Sequence, residues 1–453
     1  MTATQPPATT AIAALDRRSL MKAGLLGAGL LAGPIAAQTP GGGFTHGVAS
    51  GEPGPSKVLL WTRYAEDRDV ALDWEVGTDP EFASVVAGGT ATASPGRDGC
   101  CKVWAEGLQP GRWYYYRFIG PDGSASDTGR TRTLPEGPTE RFRLAVFSCS
   151  NIAFGWFNAY AHLAEADDVD CVYHAGDYFY EYEAGTYPGG QDGVPGRFPL
   201  PTGETVALAD YRARHAFYRR DPDLRRLHQM FPVIAGWDDH ESANDSWMGG
   251  AQNHQPADEG EWSVRKKAAM QAYREWLPVS DEPWAAYEIG DLATLFRLET
   301  RLEARAEQLS ISEILGRQDN AEEALGALTA FRDGAYADPA RELIGQTQLD
   351  WLAEGLKRSR GAGKTWQVLA QQVLMGKLFT PIALTEALSD KVPDYVRQRL
   401  FAGAMATRAG IPLNMMLGTD IPPRAAGFSP PRSRRRPIWF RSRAIRTMLG
   451  RSN

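Results

Sequence analysis

The sequence has few cysteines and little that could cross a membrane. Its four cysteines in 453 residues are too few for a disulfide framework, and no C-x-x-C pair indicates a structural zinc site. The longest apolar stretch, residues 23–37, is too short to span a bilayer as a stable helix, so we expect no stable membrane insertion. The hydrophobic share of 43% and the aromatic share of 10% exclude a disordered, collagenous or coiled-coil protein.

An export signal is predicted at the amino terminus, over residues 1–38. Arg17 and Arg18 precede the apolar stretch, and small residues at Ala36 and Ala37 suit cleavage. The paired arginines resemble a twin-arginine signal, which implies the twin-arginine export machinery as a partner and a periplasmic or extracellular location. The alternative, a chance arginine pair before an amphipathic start, explains neither the position nor the small residues.

Residues 43–138 have the pattern of a small β domain. Short β-rich runs at 58–62, 71–76 and 113–118 are separated by glycine, proline and aspartate. The sequence of the segment Leu108–Tyr114 resembles the tyrosine corner of a fibronectin type III domain, so it predicts a β-sandwich.

Residues 140–415 have a different secondary-structure pattern, in which predicted strands alternate with predicted helices. This alternation predicts an α/β domain. The predicted strands cover residues 142–148, 170–175, 231–237, 293–298 and 366–369, and the predicted helices cover 158–166, 263–276 and 346–358.

Polar clusters follow three of these strands, at residues 147–151, 176–182 and 237–247. The carboxyl ends of strands are where α/β folds place their sites. Carboxylates and a histidine that converge on one sheet edge repel one another unless cations lie between them, so the clusters predict a site with several metal ions. Oxygen ligands favour Ca²⁺ or a similar ion, whereas thiolate and phenolate ligands favour trivalent iron.

Each of these residues also has an ordinary structural explanation. Cys149 alone is more often a small buried hydrophobe, and Tyr180 alone is more often part of a core or interface. Asp177 after a strand suits a helix N-cap or a turn, and residues 238–241 suit a solvated loop. The occurrence of all three clusters in order at strand ends favours the functional interpretation.

The order and spelling of the clusters resemble the PhoD family, the type D alkaline phosphatases and phosphodiesterases that are related to purple acid phosphatases. The motifs that carry the resemblance are F-T-H-G-V-A-S-G-E-P at 44–53, W-D-D-H-E at 237–241, N-H at 253–254, E-G-E-W at 259–262 and Q-L-D-W-L at 348–352. The resemblance implies an α/β fold: a metallophosphoesterase-type layered α/β/β/α domain preceded by a small fibronectin III-like β-sandwich.

The resemblance also implies roles for individual residues. Cys149, Asp177 and Tyr180 match the family's iron(III) ligands, and Asp177 matches the residue that bridges to a divalent metal, usually Ca²⁺. Asp239 matches the place where related phosphoesterases use an asparagine ligand. His240 and Asn244 match the residues beside the phosphate.

The implied activity is the hydrolysis of phosphate monoesters or diesters by metal-activated hydroxide. The metal ions cancel the repulsion between hydroxide and the phosphate ester and lower the pKa of bound water, so that in-line attack on phosphorus expels an alkoxide. In this scheme His240 stabilises or protonates the leaving oxygen.

The carboxyl terminus departs from the family pattern. The family supplies further ligands from a later G-D-x-H-x-x-W motif, but this chain has no histidine after His254. Codons can be chosen for Arg443–Gly450 that, when read from their third base, encode G-D-S-H-N-A-W. Codons chosen for the residues from Met416 onward encode A-W-D-G-Y-P-A when they are read with the same two-base offset. We therefore expect a frameshift near Met415, genuine or a sequencing error, which makes residues 416–453 an aberrant tail. A genuine shift predicts an incomplete metal cluster and an inactive product.

Three alternative functions fit parts of the sequence. A phospholipase D-like phosphodiesterase would use the same chemistry on a lipid. A non-catalytic protein would hold phosphate at an incomplete metal site or a glycan on the sandwich. The tail from residue 419 onward contains nine arginines and one aspartate, which is typical of a nucleic-acid-binding arm, but the frameshift explains it without nucleic acid as a specific partner.

Overall fold

The computed structural model describes residues 43–412, apart from positions 191, 375, 386 and 390. The predicted export signal and the predicted frameshifted tail lie outside these residues. Among the helices of the described part, none combines the length and the apolar character that a bilayer crossing requires.

Thirteen strands are found within the described ranges. They are β1 (Gly43–Gly51), β2 (Lys57–Ala65), β3 (Val70–Gly77), β4 (Val85–Ala93), β5 (Cys100–Glu106), β6 (Trp113–Ile119), β7 (Gly129–Arg132), β8 (Leu144–Phe147), β9 (Cys171–His174), β10 (Pro232–Ala235), β11 (Ala285–Ile289), β12 (Ala293–Arg297) and β13 (Trp366–Ala370).

Nine α-helices accompany these strands in the same part of the chain. They are α1 (Asn158–Ala166), α2 (Leu208–Tyr218), α3 (Pro222–Met230), α4 (Pro256–Glu259), α5 (Trp262–Trp276), α6 (Ile311–Leu315), α7 (Ala321–Asp333), α8 (Gly345–Gly361) and α9 (Asp394–Arg408).

The main sheet has six strands in the order β5-β2-β1-β10-β9-β8. Strands β8, β9, β10 and β1 run parallel to one another, and β2 and β5 continue the sheet with antiparallel pairing. β1 pairs with β2 on one side and with β10 on the other, so strands from both predicted domains share one sheet.

Alternate residues of the buried strands face two different cores. Val172 of β9 and Val233 of β10 pack beneath helices α1, α2, α3 and α5, whereas Tyr173 and Ile234 face a second sheet. This second sheet has the order β11-β12-β13, and its Leu295 contributes to the shared core.

Helix α8 covers the outer face of the second sheet, where Leu352 packs on Phe296 of β12. The layers are therefore helices, sheet, sheet and helix, which confirms the predicted α/β/β/α architecture. A third sheet, β4-β3-β6-β7, packs on β2 and β5 through a core that includes Leu60, Leu72 and Tyr116.

The tyrosine corner forms as the sequence of residues 108–114 predicts. The Tyr114 hydroxyl accepts a hydrogen bond of 2.9 Å from the Gln109 N–H, which ties β6 to the turn that precedes it. All four cysteines are free thiols, and the adjacent Cys100 and Cys101 are both buried.

Candidate metal centre

The first two clusters meet where β8 and β9 end. Cys149 and Asp177 lie two and three residues beyond these strands, and both have left-handed backbone conformations, with φ values of 60° and 52°. The Cys149 N–H donates to the Gly176 carbonyl at 3.2 Å and the Ser150 N–H donates to the Asp177 carbonyl at 2.8 Å, so the two loops are fixed to each other. A Cβ atom at Gly176 would lie 2.2 Å from the Asp238 nitrogen, so only glycine allows the third loop to approach.

Asp177 is the centre of the first group of candidate ligands. Its Oδ2 atom accepts hydrogen bonds from the Cys149 thiol at 3.3 Å and from the Tyr180 hydroxyl at 3.2 Å. Its Oδ1 atom is buried and has no hydrogen-bond partner. A buried carboxylate oxygen without a partner is costly, and a cation would satisfy it.

The third cluster, after β10, brings Asp239 and His240 to the same place. One ligand atom of each of Asp177, Asp239 and His240 lies within 4.8 Å of the others, and all three residues are buried. The Asp239 Oδ2 atom also accepts a 2.6 Å hydrogen bond from the Asp245 N–H, which fixes the carboxylate. Three polar side chains from two loops therefore converge within the span of a metal site.

The carboxylates of this centre differ in their electrostatic environment. Burial and the neighbouring charges of Asp238 and Asp239 raise the pKa of Asp177 to about 7. Burial also disfavours ionised Asp239, but the Arg301 guanidinium and His240 outweigh it and lower the pKa of that carboxyl to about 2. The Arg301 Nη2 atom lies 3.4 Å from Asp239, and its Nε atom lies 2.5 Å from Asp238.

His240 is fixed by Glu181, a fully buried carboxylate. The Glu181 Oε2 atom lies 2.7 Å from the His240 Nδ1 atom, and its Oε1 atom accepts hydrogen bonds from the Asn244 N–H at 2.6 Å and the Asn253 amide at 2.9 Å. Burial opposes the charged imidazolium, but the carboxylates of Glu181 and Asp239 raise the pKa of His240 well above its ordinary value.

The six predicted site residues do not all point to the centre. Cys149, Asp177 and Tyr180 are joined by hydrogen bonds, and Asp239 lies beside Asp177. Asn244 instead contacts the centre through its backbone N–H, which donates a hydrogen bond to Glu181. Its side-chain amide donates to Gln252 at 2.8 Å and to Asp245 at 3.3 Å.

Sequence reasoning missed three residues that hold the site. Glu181 and Glu241 belong to the predicted clusters, and their signal was a carboxylate directly beside a candidate site residue, Tyr180 or His240. The Glu241 side chain accepts from the Tyr178 N–H at 2.5 Å and the Asp238 N–H at 2.8 Å, so it joins the second and third loops. Arg301 follows β12, and only its position after a strand could have indicated it.

The donor set fits a metal site. Burial and the charge of Asp177 raise the pKa of the Cys149 thiol to about 12, and they also raise the pKa of Tyr180. Without a cation both groups therefore keep their protons, and a bound metal ion would replace them. Thiolate, phenolate and carboxylate donors around one position are the ligands of a metal ion rather than of an organic cofactor.

Comparison with known proteins gives the same assignment over most of the chain. The family described as PhoD-like phosphatase matches residues 144–430, and the family described as PhoD-like phosphatase, N-terminal domain, matches residues 31–135. Alkaline phosphatase D of Bacillus subtilis (strain 168) is 34% identical over 354 residues, which is 74% of this chain but only 56% of that relative. A solved structure of PhoD matches 81% of this chain and 67% of its own length, with 30% identity and a TM-score of 0.63. The chain belongs to the PhoD-like phosphatase family.

Proposed function

We propose that this protein hydrolyses phosphate monoesters or diesters at the Asp177–Asp239–His240 centre with the help of bound metal ions. One observation carries the proposal: two carboxylates and an imidazole lie within 4.8 Å of one another, and an oxygen of Asp177 is buried without a partner. The similarity to alkaline phosphatase D supports the same reaction class.

The proposed ligands are Cys149, Asp177, Tyr180 and Asp239, with iron(III) near the thiol and phenol and Ca²⁺ as the second ion. The thiol and phenol donate to the same oxygen of Asp177, so the two residues proposed to hold iron(III) lie next to each other beside this carboxylate. When bound, the metal ions supply Lewis-acid activation of water and cancel the negative charge of the phosphate ester.

The chain's own residues perform the remaining tasks. Glu181 holds the Nδ1 atom of His240, which leaves the Nε2 atom for the oxygen of the leaving group. Protonated His240 donates its proton to that oxygen as the phosphorus–oxygen bond breaks. Arg301, at 3.4 Å from Asp239, keeps this carboxylate ionised and oriented.

The predicted signal at residues 1–38 supports export through the twin-arginine machinery as part of the same proposal. That pathway carries folded proteins, so the metal ions would enter before export. Residues 43–138 and 140–415 are proposed as the two domains of the exported enzyme, and their boundary falls near the edges of the two family matches.

A second candidate is a phosphate-binding protein without turnover. It rests on the absence of any histidine after His254, where the family pattern has a late ligand. Metal analysis of the purified protein, with rates on p-nitrophenyl phosphate and bis-p-nitrophenyl phosphate, separates the two candidates. Stoichiometric metal with turnover supports the enzyme. A folded, metal-free protein without turnover overturns the proposed enzyme activity and favours the phosphate-binding protein.

A further inference from the structure

A polar cavity of about 670 Å³ is lined by none of the proposed metal ligands. Its walls come from the 44–47 segment of β1, the 125–127 segment before β7, Phe217 near the end of α2, the 219–222 turn that leads into α3, and Arg225. Ile152 and the 196–197 segment close the remaining side. We call this cavity the junction cleft, since β1 and the segment before β7 meet the α2–α3 turn there.

The junction cleft carries an excess of positive charge. Four arginines line it, namely Arg197, Arg219, Arg220 and Arg225, against the two aspartates Asp127 and Asp221. Asp221 pairs with Arg197 at 2.9 Å and Asp127 pairs with Arg225 at 2.9 Å. Within the described part of the chain, neither Arg219 nor Arg220 has a carboxylate partner, so two positive charges remain uncompensated.

Arg219 is the strongest single indication of a ligand. Its side chain has no exposed surface, and its guanidinium lies 4.6 Å from the ring of Trp61. The Nη2 atom donates to the His46 carbonyl at 3.3 Å, but the Nε and Nη1 atoms are buried without a partner. A buried cation with unused donors is unfavourable, and an anion in the adjoining cavity would satisfy both the charge and the donors.

A bulge in β1 adds a second unused group to the junction cleft. The pairing of β1 with β2 shifts between Thr45 and Val48, and His46 within the bulge has a φ of 63°. Both ring nitrogens of His46 are buried without a partner. Burial and the nearby Arg63 and Arg219 lower the pKa of His46 to about 3, so the neutral ring has one N–H to offer. Strained backbone of this kind persists where the surrounding structure enforces it, often at binding sites.

We propose that the junction cleft binds a small dianion, either inorganic phosphate or the phosphate group of an organic ester. Arginine guanidinium groups match the oxygens of such an anion in geometry as well as charge. Arg219 and Arg220 supply the two uncompensated charges, and His46 supplies a neutral donor. The apolar Phe44 and Phe217 line the same cleft, and their rings offer an apolar surface for the organic part of an ester.

The test is calorimetric titration of inorganic phosphate into a protein whose metal centre is disabled by Asp177→Asn. We expect one binding site, with affinity about tenfold weaker in Arg219→Met and several-fold weaker in Arg220→Gln. The matched control is Arg226→Gln, because Arg226 is exposed on α3, bonds to Gln229 and does not line the cleft. Tighter binding of glycerol phosphate than of inorganic phosphate identifies the ester as the preferred ligand, and the reverse order identifies the free ion.

Two results would overturn the proposal. One is no phosphate binding in the Asp177→Asn protein, and the other is equal affinity in Arg220→Gln and Arg226→Gln. Arg220 is exposed, so its substitution keeps the test valid even where Arg219→Met does not fold. The titration requires neither bound metal nor turnover, so its failure is distinct from a failure of the proposed phosphoesterase activity.

Discussion

The Nδ1 atom of His240 lies 2.7 Å from a carboxylate oxygen of Glu181, which has no exposed surface. Glu181 receives two further hydrogen bonds, from Asn244 and Asn253, so it cannot rotate away from the imidazole. This pair fixes the orientation of His240 and favours its protonated form, in the way that an outer carboxylate orients a functional histidine.

Replacement of Glu181 with glutamine is expected to lower kcat by about 10- to 100-fold with a smaller change in KM. The amide keeps the shape but loses the charge that favours protonated His240. The pKa of His240 then falls, and the loss of activity on the alkaline side of the pH profile begins at lower pH. Steady-state rates on p-nitrophenyl phosphate across the pH range measure both effects.

Glu204→Gln is the matched control for this prediction. Glu204 also accepts from the Asn253 amide, at 3.0 Å, but its second hydrogen bond comes from Arg265 and not from His240. The control should keep the pH profile of the parent protein. A Glu181→Gln protein with the same profile as Glu204→Gln would show that Glu181 does not govern His240.

Asp177→Asn is expected to release the bound metal ions and to lower activity by more than about a hundredfold. Asp177 is the residue that joins Cys149, Tyr180 and Asp239 into one centre, and a neutral amide is a weaker ligand for a cation than a carboxylate. Elemental analysis of the purified variant measures iron and calcium per chain.

The control for Asp177 is Asp221→Asn, a buried aspartate away from the centre. Asp221 caps α3 and pairs with Arg197 at 2.9 Å, so its loss should reduce the free energy of unfolding without removing metal. Equal metal content in Asp177→Asn and the parent protein would refute the assignment of Asp177 as a ligand.

Much of the fold could be predicted because its local signals agree with its tertiary structure. Helix α1 occupies the predicted residues Asn158–Ala166, and β9 lies within the predicted strand at 170–175. The pairing of β1 with β10 could not be predicted, because it joins Ser50 to Pro232 across a long stretch of sequence. Periodicity reports which faces are buried, but it does not report which strand lies beside which.

The same distinction explains what was found at the site. Cys149, Asp177 and His240 each follow a strand, so the topology of a parallel sheet brings them to one edge. Arg301 reaches Asp238 and Asp239 from a different sheet, and no spacing in the sequence encodes that approach. The junction cleft could not be predicted from the sequence either, because its charged residues come from segments that only the tertiary structure brings together.

Tyr114→Phe is expected to reduce the free energy of unfolding by about 1 kcal/mol. The substitution removes the hydroxyl that accepts from the Gln109 N–H and leaves that N–H without its partner. Tyr115→Phe is the control, since Tyr115 lies on the opposite, half-buried face of β6. Urea unfolding should separate the two variants, and equal midpoints would mean that the corner contributes no stability.

A buried histidine that is not among the proposed ligands gives the molecule a pH-dependent stability. His215 has no exposed surface, and neither ring nitrogen has a hydrogen-bond partner. Burial and the charge of Arg219 lower its pKa from the ordinary value of 6.5 to about 3. Between these two values the unfolded chain binds a proton that the folded chain does not, so the free energy of unfolding falls as the pH falls.

His215→Leu is therefore expected to flatten the dependence of stability on pH. Between pH 8 and pH 5, His215 should lower the free energy of unfolding of the parent protein by about 2 kcal/mol, and the leucine variant should lack this contribution. The substitution changes packing at every pH, so the slope and not the absolute stability is the measured quantity. The control is His162→Leu, because His162 is exposed on α1 and its replacement should leave the slope of the parent protein. Urea unfolding at pH 5 and pH 8 provides both slopes, and identical slopes in His215→Leu and His162→Leu would show that His215 is charged in the folded protein.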